Sequence, residues 1–366
     1  MKTYRVPEVH QSFKLNGYAY TNEELKMAAY GIKKNGELYE QEVGRFLIDW
    51  LSELPYLELQ TSGSTGIPKK IKVYKAQMVN SALATGTFFK LAADATALLC
   101  LSANYIAGKM MLVRAMVLGW RLDVVPYRAN PLDNVYRRYD FCAMVPLQLD
   151  NSLNRLHLIK KLIVGGGSVT TGLENQLQSV KTKVYETYGM TETVSHIAAR
   201  RLNPNKKTKK GKGFFKILPN VTITTDTRDC LVIKAPKHCN GTVVTNDIVA
   251  IHTYKKFEWK GRFDNVVNSG GVKLYPESIE TKLQLLIAQR FFVCGIPDDS
   301  YGERLILIIE DVYQDSAKER IIMEISRTST LAKYEKPKEI HFLSKFVETP
   351  TGKIQRVKTL ALLAPF

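Results

Sequence analysis

The segment Thr61–Lys70, TSGSTGIPKK, concentrates small hydroxyl residues, glycines and lysines in one short stretch. Gly63 and Gly66 let a backbone approach a ligand closely. Ser62, Ser64 and Thr65 add hydroxyl donors to the backbone N–H groups, and Lys69 and Lys70 add charge. These are the parts of a polyphosphate cradle. No G-x-x-x-x-G-K-[ST] runs through it, so it is not a Walker loop; read alone, it is more often an ordinary polar loop. Four further stretches have chemistry-bearing composition. Leu162–Ser168, LIVGGGS, is an apolar run ending in glycines, suited either to a tight turn or to a flat ring lying on the backbone. Val184–Thr193, VYETYGMTET, offers the ring of Tyr188, room at Gly189, the hydroxyl of Thr191 and the carboxylate of Glu192, a hard oxygen ligand of the kind that holds magnesium beside phosphates. Asp247 and then GRFDNVVNSGG, 261–271, combine an acid, the fork of Arg262 and a glycine pair, a set that accepts and donates to ribose hydroxyls or simply pairs at the surface. The last, TPTGKIQR, 349–356, puts Lys353 on a turn bounded by Pro350 and Gly352, where it is either solvated or presented to another domain.

The elements that carry these stretches alternate. Short apolar runs near 97–103, 121–127, 141–146 and 162–167 are separated by helix-like segments, Lys75–Thr87 and Thr171–Val180 among them. Strands alternating with helices predict an α/β fold with a mainly parallel sheet. Val221–Thr225, Cys230–Lys234, Thr242–Thr245 and Val249–Thr253 predict a β-rich subdomain after it. Beyond Gly261 the pattern becomes α+β, with helices over Pro276–Leu286 and Ala317–Thr328 and strands over Phe291–Gly295, Leu305–Glu310 and Glu339–Leu343. This places a boundary near Phe263–Asp264 and divides the chain into a large domain, 1–263, and a small one, 264–366.

Composition narrows the classes. A chain of 366 residues with 45% apolar and 24% charged residues is ordinary globular material. Its most apolar segment, Met110–Trp120, is interrupted by Arg114 and is too short to span a membrane. The start, MKTYRVPEVHQ, lacks the apolar core of a signal peptide, so a cytoplasmic location is expected. Five scattered cysteines without a C-x-x-C pair read as reduced, buried thiols rather than a zinc site. The net charge of +17 comes without a recognisable nucleic-acid module and suits a protein that attracts polyanionic small molecules.

Taken in order, the motifs resemble the acyl-adenylate-forming superfamily of acyl- and aryl-CoA synthetases, luciferases and adenylation domains. TSGSTGIPKK is similar to its phosphate loop, YGMTE to its adenine and magnesium motif, GRFDNVVNSGG with YPESIE to its hinge region and PTGKIQR to its catalytic-lysine loop. LPNVTI, 218–223, resembles its Pro-Gly-Val turn with Asn220 in place of glycine, and CGIPDDSYGER a turn of its small domain. Among its members the compact o-succinylbenzoate–CoA ligases of menaquinone synthesis are the most alike. The resemblance implies a small, mobile C-terminal domain and a two-step ligation of a carboxylic acid, through acyl-AMP, to coenzyme A, with ATP and Mg2+. In that scheme Ser62, Gly63, Ser64, Thr65, Gly66 and Lys69 hold the β- and γ-phosphates. Thr191 contacts the α-phosphate and Glu192 the metal, Tyr188 stacks on adenine beside Gly189 with Gly166 and Gly167 on its other side, and Asp247 and Arg262 hold the ribose. Lys353 bridges the carboxylate and α-phosphate, Asp264 is the hinge, and Gly270 and Gly271 line the thiol tunnel. Two departures stand out. The phosphate loop comes far earlier than in most relatives, which implies a reduced N-terminal subdomain. LSANYIAGKMM, 101–111, occupies the acyl-site segment, with Tyr105, Lys109 and Arg114 as candidates to hold the acid. Other readings are a ligase for a different aryl or acyl acid, an adenylation domain that loads a carrier protein, or a non-catalytic ATP- or nucleic-acid-binding relative.

Overall fold

The computed structural model describes residues 6–60, 70–204, 213–349 and 353–363. The phosphate-loop candidates Ser62, Gly63, Ser64, Thr65, Gly66 and Lys69 lie outside the described residues. The chain opens with two short strands, Lys14–Leu15 (β1) and Tyr18–Ala19 (β2), and two helices, Asn22–Asn35 (α1) and Leu38–Trp50 (α2). Thr21 accepts from the Glu24 backbone N–H while the Glu24 carboxylate reaches back to the Thr21 amide, a capping box that starts α1. Strands Tyr56–Gln60 (β3) and Lys70–Tyr74 (β4) pair antiparallel, Gln60 opposite Lys70. Then follow Lys75–Phe89 (α3), Thr96–Leu99 (β5), Ile106–Leu118 (α4), Arg121–Val124 (β6), Tyr139–Met144 (β7), Pro146–Asn151 (α5), Ile159–Val164 (β8), Thr171–Gln176 (α6) and Lys183–Gly189 (β9).

Strands β1, β6, β5, β7, β8 and β9 lie side by side and parallel. Both faces of this sheet are covered, as parallel sheets require. Ala97, Leu99, Phe141, Ala143 and Ile163 pack with α2, α3 and α4 in one core. The alternate residues Leu98, Cys142, Met144, Leu162 and Val164 pack with Leu149 of α5 and Leu173 of α6 in another. Helix α4 is buried all round: Met110, Met111, Leu112, Val113, Ala115 and Met116 are each at most 1% exposed. Such a helix has no polar face to offer a charge, which makes Arg114 within it conspicuous.

Strands His196–Arg201 (β10), Phe215–Ile217 (β11), Thr222–Thr225 (β12), Cys230–Lys234 (β13), Thr242–Thr253 (β14) and Lys256–Arg262 (β15) form the antiparallel region. It is not a separate sheet. β10 pairs with β9, and one 13-stranded sheet runs from β12 through to β2. The two strands expected over Thr242–Thr245 and Val249–Thr253 are a single strand, β14. The polar Asn246–Asp247 pair that breaks the apolar pattern faces the cavity described below, and the ladder with β15 absorbs irregularities after Ile248 and Ile251. Asn220, standing where the resemblance has glycine, has φ +62°; asparagine is among the few non-glycine residues that tolerate this region.

After a short 3-10 turn at Phe263–Asn265 come Val267–Ser269 (β16), Val272–Leu274 (β17), Pro276–Leu283 (α7), Phe291–Asp298 (β18), Gly302–Glu310 (β19), Asp315–Arg327 (α8), Glu339–Leu343 (β20) and Arg356–Leu360 (α9). They build a second, five-stranded sheet. Val267, Leu274, Ile279, Leu283, Val293, Leu305 and Leu307 form its own core with Ile321 and Ile325 of α8. No helix among the described residues is long and apolar enough to cross a membrane.

Candidate active site

Between β5 and β7 the chain reverses its direction of winding, and ligands of open α/β sheets bind at the carboxyl ends of strands at such a point. A cavity of about 710 Å³ lies there. Its walls are the residues after β5 (Leu101), the ends of β7 (Ala143–Val145) and β8 (Gly165, Gly166), the segment Thr187–Glu192, Val194–His196, β14 residues Val243–Asp247, Arg262 and Lys353. Motifs far apart in sequence thus converge on one space.

One end of the cavity is built by β8 and β9. Gly166, with φ +83°, turns the chain away from β8. Glu186 on β9 pins the segment that follows by accepting from the Val169 N–H at 3.3 Å, and is itself held by Arg200 of β10 through bonds of 2.9 and 2.6 Å. Gly167 does not line the cavity. Tyr188 presents its ring to the cavity while packing edge-on against Phe215 and Phe257. Its hydroxyl donates to Asp247 at 2.6 Å, and burial followed by the Asp247 charge pushes that phenol far above its usual range. Asp247 also accepts from Trp259 Nε1 at 3.2 Å and lies 3.8 Å from Arg262. A carboxylate has about four lone-pair sites, so it retains capacity for ribose hydroxyls.

Thr191 and Glu192 sit in a 3-10 turn, Thr191–Thr193. The next residue, Val194, is buried with φ +66° and ψ −48°. A β-branched side chain in this region costs about 1–3 kcal/mol and persists only where surroundings impose it. Here Thr193 Oγ1 is bonded to both Met190 N and Ser195 O. The turn aims Ser195 and His196 into the cavity, toward Arg114.

Arg114 is 2% exposed, lines the cavity and has no ion pair among the described residues. Its Nη2 donates to Ser195 Oγ at 2.7 Å and to His196 Nδ1 at 3.3 Å, and its Nε has no partner among the described residues. Burial pulls the guanidinium down to about 9, so it is charged at neutral pH. Since arginine only donates, His196 Nδ1 must accept; the ring proton is then on Nε2, 3.4 Å from Thr85 Oγ1. Burial, then Arg114, holds His196 neutral, well below its ordinary range. The other two acid-site candidates are elsewhere. Tyr105 is 63% exposed, and Lys109 donates to Asn104 O at 2.6 Å; neither lines the cavity. Ser195 and His196 escaped the sequence reading, although their place at the start of the strand after YGMTET was a usable signal.

Lys353 reaches the same cavity from the small domain. Thr349 N–H donates to Lys353 O at 2.8 Å and Lys353 N–H to Thr349 Oγ1 at 3.1 Å, with Glu348 bridged to Ile354. Arg356, three residues on, ties Lys353 and its neighbours to α7 through Glu280 at 2.7 Å and Glu277 at 3.5 Å. Removing one partner of a buried ion cluster strands the others, so Arg356→Met is expected to cost about 3 kcal/mol, read as a lowered melting temperature. An unchanged melting temperature would show that the anchor is not needed.

Asp264 accepts from Arg262 at 2.7 Å and from Asn246 Nδ2 at 3.1 Å. Gly270 and Gly271 do not line the cavity. They form the two-residue turn between β16 and β17, with φ +57° and +80°, the pair of positive values that a tight hairpin demands. Among the described residues no cluster of three metal-ligating side chains exists, which fits a magnesium held by one carboxylate and phosphates rather than by a protein cage.

A nucleotide-sized cavity at the carboxyl edge of a parallel sheet, with a lysine delivered from a small α+β unit, is the arrangement of adenylate-forming enzymes. The family model described as AMP-binding enzyme matches residues 53–226. A solved acyl-CoA synthetase (AMP-forming)/AMP-acid ligase II-like protein of Dyadobacter fermentans is 39% identical, covering 93% of this chain and 98% of that one, with a TM-score of 0.61. The chain belongs to this family of AMP-binding, acyl-CoA synthetase-like proteins. It is also similar, at 26% identity over 81% of its length, to the 2-succinylbenzoate–CoA ligase of Staphylococcus aureus strain Newman, of which it spans 65%. The fold matches that of the Bacillus subtilis o-succinylbenzoate CoA synthetase solved with its acyl-adenylate intermediate, with a TM-score of 0.74 at 16% identity, covering 97% and 96% of the two chains.

Proposed function

We propose that the protein is an ATP-dependent, AMP-forming acid–CoA ligase whose acid bears a second carboxylate, o-succinylbenzoate being the preferred candidate. The observation that carries this reading is Arg114, a buried guanidinium with no counter-ion among the described residues, which shares one cavity with Lys353, Thr191, Glu192 and Asp247. A buried cation is costly unless paired, and a ligand carboxylate is the partner it lacks. The similarity to 2-succinylbenzoate–CoA ligases supports the same acid.

In the first step one carboxylate oxygen of the acid attacks the α-phosphorus of ATP, and the bond to the bridging oxygen breaks, giving acyl-AMP and pyrophosphate. Lys353 sits between two anions that repel one another and neutralises them as they meet. Thr191 orients the α-phosphate, and the phosphate loop at Ser62–Lys69 grips the departing pyrophosphate. Glu192 would hold a magnesium ion, which supplies charge neutralisation on the phosphates. Tyr188 and Gly166 take the adenine, Asp247 and Arg262 the ribose. Arg114, Ser195 and His196 hold the distal carboxylate, which sets the reacting one in place. In the second step the coenzyme A thiol attacks the acyl carbon and AMP leaves with its electron pair.

The thiol must approach the carbon that Lys353 guards, so residues 264–366 act as a body that rotates about Asp264 between steps. The contacts such a rotation breaks include polar ones: Ser278 Oγ donates to Lys260 O at 2.8 Å, Arg262 N–H to Glu277 at 3.3 Å, and Thr171 N–H to Gln284 Oε1 at 3.0 Å. Asp264→Pro, by fixing φ, is expected to spare adenylation and slow the thioester step; a second step of unchanged rate would refute the hinge. The direct test of the function is ATP–pyrophosphate exchange with o-succinylbenzoate and then thioester formation with coenzyme A. Exchange supported better by a monocarboxylic aryl acid, or thioester formed only on a holo-carrier protein, would overturn it.

A further inference from the structure

Outside the nucleotide and acid sites, one buried carboxylate has no part in the chemistry. Glu42 lies on the inner face of α2, 6% exposed, among the apolar residues Val43, Phe46, Leu47 and Trp50. It accepts three hydrogen bonds: from Ser102 Oγ at 2.6 Å, Asn104 Nδ2 at 2.8 Å and Tyr127 OH at 2.9 Å. The first two donors belong to the segment that links β5 to α4, the third to the segment leaving β6. Both segments emerge at the cavity edge of the sheet. Leu101, Ile106 and Ala107, which bracket the Glu42-bound residues, line the cavity on the same side as Arg114.

The link between β5 and α4 has no slack. The first turn of α4 presses on it so closely that a Cβ at Gly108 would lie 2.2 Å from Ser102 O. On its other flank Gln148 Nε2 donates to Cys100 O at 2.8 Å and Arg128 O at 3.1 Å. The segment is therefore clamped from α5 by Gln148 and from α2 by Glu42. Of the two, only Glu42 reaches the residues next to Ile106, where α4 begins.

We propose that Glu42 is a positioning residue for the acid pocket: its three accepted bonds hold Ser102–Tyr105, and thereby the start of α4, so that Leu101, Ile106 and Arg114 keep the pocket's shape. The proposal rests on the reading that the Arg114 end of the cavity takes the acid. A carboxylate accepts from all three at once; a glutamine would turn its NH2 toward one of them, so that Asn104 would lose its acceptor or a hydroxyl would have to rotate from donor to acceptor and give up its own bond.

The test is Glu42→Gln, with Ser102→Ala and Tyr127→Phe as milder variants that each remove one bond. In acid-dependent ATP–pyrophosphate exchange, Glu42→Gln is expected to raise KM for the acid about tenfold and the milder variants about threefold, only part of the loss of a hydrogen bond to a charged acceptor being felt at the pocket. KM for ATP and kcat should stay within about twofold, because β8 and β9 hold the nucleotide. Backbone amides of 101–107 should exchange with deuterium faster in Glu42→Gln, and those of 165–169 should not. A lowered melting temperature with unchanged KM for the acid overturns the proposal, as does a parallel rise in KM for ATP. If the wild type shows no acid-dependent exchange at all, the ligase reading fails instead, and amide exchange at 101–107 still decides the role of Glu42: unaltered protection there refutes it.

Discussion

Lys353→Ala is expected to lower acid-dependent ATP–pyrophosphate exchange by a factor of 10² or more, the usual effect of removing one preorganised charge from a developing anionic centre, about 3 kcal/mol. Thioester formation from separately supplied acyl-adenylate should proceed near the wild-type rate, since the lysine has no role once the mixed anhydride exists. This separation follows from where the side chain sits. Lys353 lines the cavity with Thr191, Glu192 and Asp247, yet its backbone is bonded to Thr349 and its neighbour Arg356 to Glu280, both in the small domain. Removing its ammonium leaves these bonds intact, so the protein should fold and melt normally. Equal loss of both half-reactions would mean that Lys353 supports the site's structure rather than the first chemical step.

The second large effect concerns Arg114 and has two parts that pull in opposite directions. Arg114→Met should raise KM for o-succinylbenzoate by a factor of about 100, because truncating one partner of a buried charge pair typically costs 2–5 kcal/mol. An analogue with the distal carboxylate esterified should lose less than tenfold. The same substitution should stabilise the free protein. A buried guanidinium without a counter-ion is a liability that a well-packed apolar side chain of similar length removes, a gain of about 1–4 kcal/mol in comparable cases. Each kcal/mol shifts the melting temperature of a large domain by about 2–4 °C. Methionine suits the surroundings, with Met110, Met111 and Met116 on the same helix fully buried. Ser195 and His196 keep each other as partners at 3.3 Å. A fall in melting temperature would show that the guanidinium is structural, and an unchanged KM would show that it does not hold the acid.

Much of the site was legible in the sequence because its parts are local. YGMTE encodes a strand end followed by a tight turn, GRFDN a strand end followed by the domain boundary, and PTGK a turn, each readable from a handful of neighbouring residues. Strands β13 and β20 fell where the apolar alternation put them. Helices α1 and α2 were missed, because their amphipathic stripes lie before the first chemical motif and carry no signature beyond the Thr21–Glu24 cap. Strand β14 was broken in two, because Asn246 and Asp247 interrupt its apolar pattern for the sake of the cavity they line.

The acid end was different. Tyr105 was the candidate for the aromatic slot, and Lys109 and Arg114 were alternative clamps for a second carboxylate that the sequence left undecided. Their fates diverge because charge is settled by what folds nearby. Lys109 has the Asn104 carbonyl and feels Glu42 and Asp49, and Tyr105 reaches solvent. Arg114 is carried into a core where the described residues offer it a hydroxyl and a neutral imidazole but no carboxylate. The order of the motifs carried the resemblance from which a reaction class is proposed, since each motif is a short-range property of the chain. Which cation is left buried without a counter-ion, and hence what kind of acid the cavity suits, depends on long-range packing of α4 against β10. That was decided only when the chain folded.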